Sequence, residues 1–387
     1  MKIIFSIMFV AMLFGLGSLW HFSHDEKLSC NYFTYQSHDV SYTNPATGLT
    51  LSGTLTLPNC HRPTPALILV AGTGKHDRDC TSNGHKLFYA ISDYLSHQGI
   101  AVLRYDKRGV GQSQGVFDTT LTTADFASDA QAAFAYLQSR SDIDSSKIGL
   151  LGHSEGGLIV SMIASQCPQV AYVISMAGAA STKIEDIVGQ AALQVRADGG
   201  SQEIVDLDAL IRTKILTIVD QEKDTQVAAK KIRQAVDEHF AHLTPEQNLQ
   251  AEALAFESGH EGGTPQAPVY CISRLNSEFM MHIYNSSWVR FLIAYDSVAM
   301  FKKIKQPFLA VNGSLDFIVA AQVALPIFAL SLLQGGNQDV SLIEMPSVNH
   351  WLQPCSKGSL DEYGKTDVVI APAFLDLIGN WIAHRIS

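Results

Sequence analysis

The pentapeptide Gly152-His153-Ser154-Glu155-Gly156 places a serine between two glycines. A serine hydroxyl is a poor nucleophile at neutral pH, so a base must take its proton as it attacks. The pattern alone recurs by chance, and its context gives it weight. A strand-like run, Ile148 to Leu151, precedes it, and a helical pattern, Gly156 to Ser165, follows. A sharp turn between strand and helix holds the Ser154 hydroxyl above the carboxyl edge of a sheet. The flanking glycines suit a strained turn whose neighbours approach closely. The helix N-terminus aims backbone N–H groups at developing negative charge. The competing reading is an ordinary tight turn.

On such a sheet the acid and the base come later in the chain, in that order. Asn312-Gly313-Ser314-Leu315-Asp316 follows the buried run Pro307 to Val311, which places Asp316 at the same carboxyl edge. Asn349-His350-Trp351 follows the run Val340 to Met345 and arrives there too. The chain has 14 histidines, so His350 is selected by position and not by rarity. Asp316 would hold the imidazole tautomer and stabilise the imidazolium. An oxyanion needs two N–H donors. One is expected from the backbone of Glu155, directly after the nucleophile. The other is expected from the loop Gly72-Thr73-Gly74, at Thr73 with Gly74 as the fallback.

Other groups read as structural. Asp77-Arg78-Asp79 has the look of an ion pair beside the oxyanion loop, although a substrate-positioning role is open. Tyr105-Asp106-Lys107-Arg108-Gly109, with Gly111 and Ser113, reads as a buttressing turn. His239 and His242 lie three apart on a helical stretch, and two histidines without a third ligand make a poor metal site. No phosphate-cradling or dinucleotide-binding glycine motif is present.

The elements that must position these groups alternate between strand and helix. Leu49 to Leu57 alternates and ends at Pro58, as a half-buried strand near a sheet edge does. Ala66 to Ala71, Ile100 to Tyr105, Ile148 to Leu151 and Ala171 to Met176 are continuous apolar runs, as expected of strands covered on both faces. Helical patterns lie between them at Lys86 to Gln98, Ala124 to Arg140 and Gly156 to Ser165. This alternation indicates a mostly parallel sheet with helices on both faces. Ser181 to Phe301 breaks the rhythm and is helical in period, with a Gly- and Pro-rich loop at Gly259 to Pro268. Strand signals return at Pro307, so the block reads as a helical cap inserted into one sheet. The expected organisation is a leader at 1–22, core at 28–180, cap at 181–301 and core again at 302–387.

Net charge is −10 over 387 residues, which disfavours nucleic acid as a partner. Hydrophobic residues are 47% and charged residues 17%, too apolar and too weakly charged for a disordered chain. Ile3 to Trp20 carries no charge and follows Lys2, the pattern of an export signal, or of a retained N-terminal membrane anchor. Either places the rest of the chain outside the cytoplasm, where pairing among Cys30, Cys60, Cys80, Cys167, Cys271 and Cys355 is open, as are free buried thiols. No two cysteines form a C-x-x-C pair.

AGTGKHDRD (71–79), RYDKRGVGQSQG (104–115), GHSEGG (152–157), NGSLD (312–316) and NHWLQ (349–353) together resemble bacterial α/β-hydrolase serine esterases. The group they resemble is labelled prolyl-oligopeptidase-related or serine-aminopeptidase-like. The resemblance runs from about residue 40 to the C-terminus and thins in the cap. It implies an α/β-hydrolase fold with Ser154 as nucleophile, Asp316 as acid and His350 as base, and carboxylesterase activity with little peptidase activity. SSWVRFLIAYDS (286–297) departs from the family segment, which usually carries Pro where Ser287 stands.

The resulting expectation is a serine hydrolase, free of cofactor and metal, acting on small-molecule esters of short to medium acyl chains. The alternatives are an aminopeptidase or proline-iminopeptidase-like enzyme, or an acyltransferase or thioesterase. A peptidase would need charge to bind a substrate terminus, for which Glu185, Asp186 and Glu261 are candidates.

Overall fold

The computed structural model describes residues 33–60, 63–257 and 271–387. The N-terminal segment, Cys30, Glu261 and the Gly259 to Pro268 loop lie outside them.

Eight strands form one sheet: β1 (Tyr35–Thr43), β2 (Thr50–Pro58), β3 (Thr64–Val70), β6 (Ala101–Tyr105), β7 (Ile143–His153), β8 (Val173–Met176), β9 (Phe308–Gly313) and β10 (Val340–Met345). The two short strands β4 (Thr81–Ser82) and β5 (His85–Lys86) pair separately. The spatial order is β1-β2-β6-β3-β7-β8-β9-β10. Strand β2 is antiparallel to both neighbours, and the six strands from β6 to β10 are parallel. All carboxyl ends of that parallel set therefore open on one edge.

Alternation within single strands shows why both faces are covered. Ala66, Ile68 and Val70 of β3 face one apolar cluster with helices α2 (Thr123–Gln138), α3 (Glu155–Ala164), α10 (Ser297–Phe301) and α11 (Ala321–Gln334). Leu67 and Leu69 face another with α1 (Leu87–His97) and α12 (Pro372–Ile386). Each fully buried side chain of this size is worth about 1.5–3 kcal/mol. Helix α2 starts where Thr122 and Asp125 close a reciprocal capping box.

Between β8 and β9 the described chain is helical: α4 (Ile184–Ala197), α5 (Gln202–Gln221), α6 (Thr225–His242), α7 (Pro245–Glu257), α8 (Ser277–Tyr284), α9 (Ser287–Ala294) and α10. These cap helices have an apolar cluster of their own, with Ile211, Ile215, Val236, Phe240 and Met280. A buried ion pair stiffens it. Arg212 donates to Asp208 at 2.9 Å, and Asp208 also accepts from Ile272 N at 2.8 Å.

Four elements escape the sequence patterns: β1, α11 and the two-residue strands β4 and β5. Strand β1 is mostly exposed and polar, YQSHDVSYT, so it has no apolar run to mark it. Helix α11 contains Pro326 and is apolar on most sides, so its 3.6-residue period is blurred. Strand β2 lies near the sheet edge as expected, but it is more than half-buried, with no exposed residue, because β1 pairs along its outer side. Of the cysteines, Cys80, Cys167, Cys271 and Cys355 carry free thiols.

Candidate active site

Ser154 sits between β7 and α3 with φ of 58°. A non-glycine residue held there costs about 1–3 kcal/mol, and the surroundings must enforce it. They do so by contact. A Cβ on Gly152 would lie 2.0 Å from the Gly156 carbonyl oxygen, so only hydrogens let the two arms of the turn cross. Ser154 N–H donates to Met176 O at 3.0 Å, which ties the turn to β8.

Asp316 and His350 approach from the next two strands. His350 Nδ1 lies 2.9 Å from Asp316 Oδ2, and both side chains are buried. An ionised carboxylate only accepts, so Nδ1–H is the donor in this pair. The second Asp316 oxygen accepts from Ile318 N at 3.0 Å and Val319 N at 2.8 Å. His350 is held by its main chain: its N–H donates to the Tyr363 hydroxyl at 3.2 Å, and its carbonyl accepts from His153 Nε2 at 3.0 Å. Burial and the neighbouring His350 push His153 well below the usual histidine range, so it stays neutral and donates from Nε2.

Ser154 and His350 line one cavity of about 160 Å³ with Thr73, Glu155 and a wall of cap residues: Ile187, Leu216, Tyr284, Trp288 and Leu292. Glu155 opens α3, so its N–H is one that no carbonyl of the helix can accept. Gly72 packs on the serine so tightly that a Cβ there would be 2.7 Å from Ser154 Cβ.

The Gly72-Thr73 loop is clamped from behind. Buried Lys107 donates from Nζ to the Gly72 carbonyl at 2.7 Å, with its ammonium 3.9 Å from the Phe126 ring centre. Burial lowers the Lys107 pKa, and the Glu155 carboxylate opposes the shift. His76 Nε2 holds the Thr73 carbonyl at 2.7 Å. Burial lowers His76 to about 4, with Lys107 adding to the effect, so its ring is neutral and its Nε2–H is the donor. In a trans peptide C=O and N–H point opposite ways. Fixing the Gly72 carbonyl on Lys107 therefore points the Thr73 N–H the opposite way, on the far side of the chain from Lys107.

The remaining motif residues hold these loops. Arg78 reaches Asp106 at 2.8 Å and exposed Asp39 at 3.1 Å, and Asp77 accepts from Thr81 N at 2.8 Å. Arg104 pairs with Asp79, and Arg108 with Asp129 at 2.6 Å. The cap candidates for binding a charged terminus do not line the cavity: Glu185 and Asp186 are in the first turn of α4, and Asp186 accepts from Ser181, which does line it. Among the described residues no cluster of ligating side chains is suited to a metal, and His239 and His242 have no third ligand.

The eight-stranded sheet, the elbow after β7 and the inserted helices are an α/β-hydrolase arrangement. A family profile described as "Serine aminopeptidase, S33" matches residues 63–214. The fold is that of the α/β hydrolases. The chain is 39% identical over 117 residues to Esterase EstD of Thermotoga maritima, a match covering 30% of this chain and 27% of that relative. Among solved structures it resembles a hypothetical protein of Pseudomonas aeruginosa, with a TM-score of 0.53 at 15% identity over 91% of this chain and 94% of that one. It also resembles the α/β hydrolase GrgF of a Penicillium species, with a TM-score of 0.51 at 18% identity over 90% and 99%.

Several site residues carry no signal of their own in the sequence. Lys107 sits in a recognisable turn, but nothing in the turn says that its amine reaches Gly72. His76 and His153 are two of 14 histidines. Trp288 Nε1 donates to Glu155 Oε1 at 2.8 Å, a contact across 133 residues. The unusual Ser287 has a visible consequence. It is the first residue of α9, where Pro is well tolerated, yet its N–H donates to Thr119 O at 3.0 Å, a bond that Pro cannot make.

Proposed function

We propose that this chain is a serine hydrolase that cleaves carboxylic esters with small apolar acyl groups through an acyl-enzyme. The observation that carries the reading is the buried Asp316–His350 hydrogen bond on the wall of the apolar cavity into which Ser154 opens. Ser154 Oγ attacks the carbonyl carbon while His350 Nε2 takes its proton. The oxyanion accepts from the N–H groups of Thr73 and Glu155, each worth about 3 kcal/mol of barrier. The intermediate collapses to acyl-Ser154, and the leaving alkoxide takes the proton from His350. Water then repeats the sequence and frees the acid.

Two features support an ester over a peptide substrate. An alkoxide leaves with less help than an amine. Glu155, the carboxylate on the cavity wall, already accepts from Thr73 at 3.2 Å, Thr123 at 2.7 Å and Trp288 at 2.8 Å, so it offers little to a substrate ammonium. The description of the matching family keeps aminopeptidase as the second reading. Turnover of p-nitrophenyl acetate and butyrate should exceed that of aminoacyl-nitroanilides; faster amide cleavage reverses the assignment. The uncharged Ile3 to Trp20 segment supports an exported or N-terminally anchored enzyme. Fractionation of the native host would show the activity outside the cytoplasm.

A further inference from the structure

A second apolar cavity of about 380 Å³ lies against the first. Phe117, Leu121, Phe126 and Ile283 line it, and the exposed residues Lys75 and Asp118 mark its mouth. The two cavities share Thr73, Glu155 and Trp288, whereas Ser154 and His350 face only the first. The shared residues form one hydrogen-bonded wall, because Glu155 accepts from both the Thr73 hydroxyl and the Trp288 indole.

We infer that Trp288 is a specificity-determining partition: its indole confines the substrate to the small cavity, and the second cavity is the binding site for the longer arm of an apolar ester once that indole is removed. This rests on the ester-hydrolase reading of Ser154. The magnitudes favour it. A cavity of about 150 Å³ holds a benzene-sized group. Sites that enclose a whole small molecule span about 300–1,000 Å³. The first cavity is below that range by itself and falls within it when joined to the second. The wall is also rigid. Ser286 caps α9 through Val289 N at 3.3 Å, Ser287 bonds the core at Thr119, and Arg290 holds Val219 O and Glu222 O at 3.0 and 2.7 Å.

The test is a p-nitrophenyl ester series from acetate to dodecanoate with wild type, Trp288→Ala, Trp288→Phe, and Trp288→Ala combined with Leu121→Trp. Wild type should favour acyl chains up to about six carbons. Trp288→Ala should raise kcat/KM for decanoate relative to butyrate by about tenfold or more, as expected when several methylenes gain burial. Trp288→Phe, which keeps bulk but loses the N–H, should retain the wild-type profile. Leu121→Trp should cancel the gain by filling the second cavity. Parallel length profiles for wild type and Trp288→Ala overturn the partition, as does a gain that survives Leu121→Trp. Alkyl fluorophosphonates of graded length give the same readout by labelling Ser154 and need no ester turnover. If no ester is cleaved but the labelling shifts with length, the substrate reading fails and the partition stands.

Discussion

On the core side of the cavity, Thr73, Ser154, Asp316 and His350 sit in turns at the carboxyl ends of strands and are tied by hydrogen bonds with His76, Met176, Val319 and Tyr363 respectively. On the cap side, Leu216, Tyr284, Trp288 and Leu292 project from α5, α8 and α9, and the outer faces of α5 and α8 carry exposed Lys214, Glu278 and His282. The first arrangement fixes directions: the Asp316–His350 bond and the clamped Gly72 carbonyl leave little angular freedom. The second supplies volume. Reaction rate is sensitive to displacements of about 1 Å, so the chemistry belongs on the braced wall. Substrate size is a cruder quantity, and packed helices suffice to set it.

The largest expected effect lies on the core side. Ser154→Ala should lower kcat on p-nitrophenyl butyrate by about 10⁴–10⁶ and leave the circular dichroism spectrum unchanged. Near-normal turnover would remove this serine from the mechanism. The sharpest blow to the cap side is Asp208→Ala, which leaves buried Arg212 without its carboxylate. A cost of about 3–5 kcal/mol is expected in urea unfolding. If the two walls are as different as their construction indicates, this variant keeps fluorophosphonate labelling of Ser154 and loses its acyl-length preference.

Lys107→Met tests whether the loop clamp matters for rate. We expect kcat to fall about 10²-fold, within the range for losing one oxyanion donor. Affinity for a boronic acid transition-state analogue should fall in parallel, with KM little changed. A rise in KM alone would mean that Lys107 only packs.

The last effect is one of stability. Burial holds His76 at about 4, below its ordinary 6.5, so between those values the unfolded chain binds a proton that the folded chain does not. Stability therefore falls as pH drops through that window, by up to about 1.4 kcal/mol per pH unit for one group. His76→Gln should shallow the acid limb by that amount in pH-dependent unfolding. An unchanged slope would show that this ring takes up its proton while folded.

Much of the core was legible in the residues themselves. The runs at Ala66, Ile100, Ile148, Ala171 and Pro307 each became a strand, because burial on both faces leaves an uninterrupted apolar signature; Val340 to Met345 also became a strand, but a partly exposed one at the sheet edge. The elbow was readable because its crossing tolerates only glycine at Gly152. Polar β1 and Pro-containing α11 were not, since an exposed edge and an all-round apolar helix each lack the expected period. The cap read as helices but not as a wall, because which helical residue faces Ser154 depends on how the helices pack.

What the amino-acid order determined by itself was local: the strand–turn–helix around Ser154, and the order in which Asp316 and His350 follow it. Such features rest on steric limits and hydrophobic periods acting over a few residues. The tertiary structure decided the long-range pairings: Lys107 with Gly72, His153 with His350, and Trp288 with Glu155. They depend on where distant elements come to rest, and a side chain that meets its partner across 133 residues leaves no trace in the spacing of its neighbours.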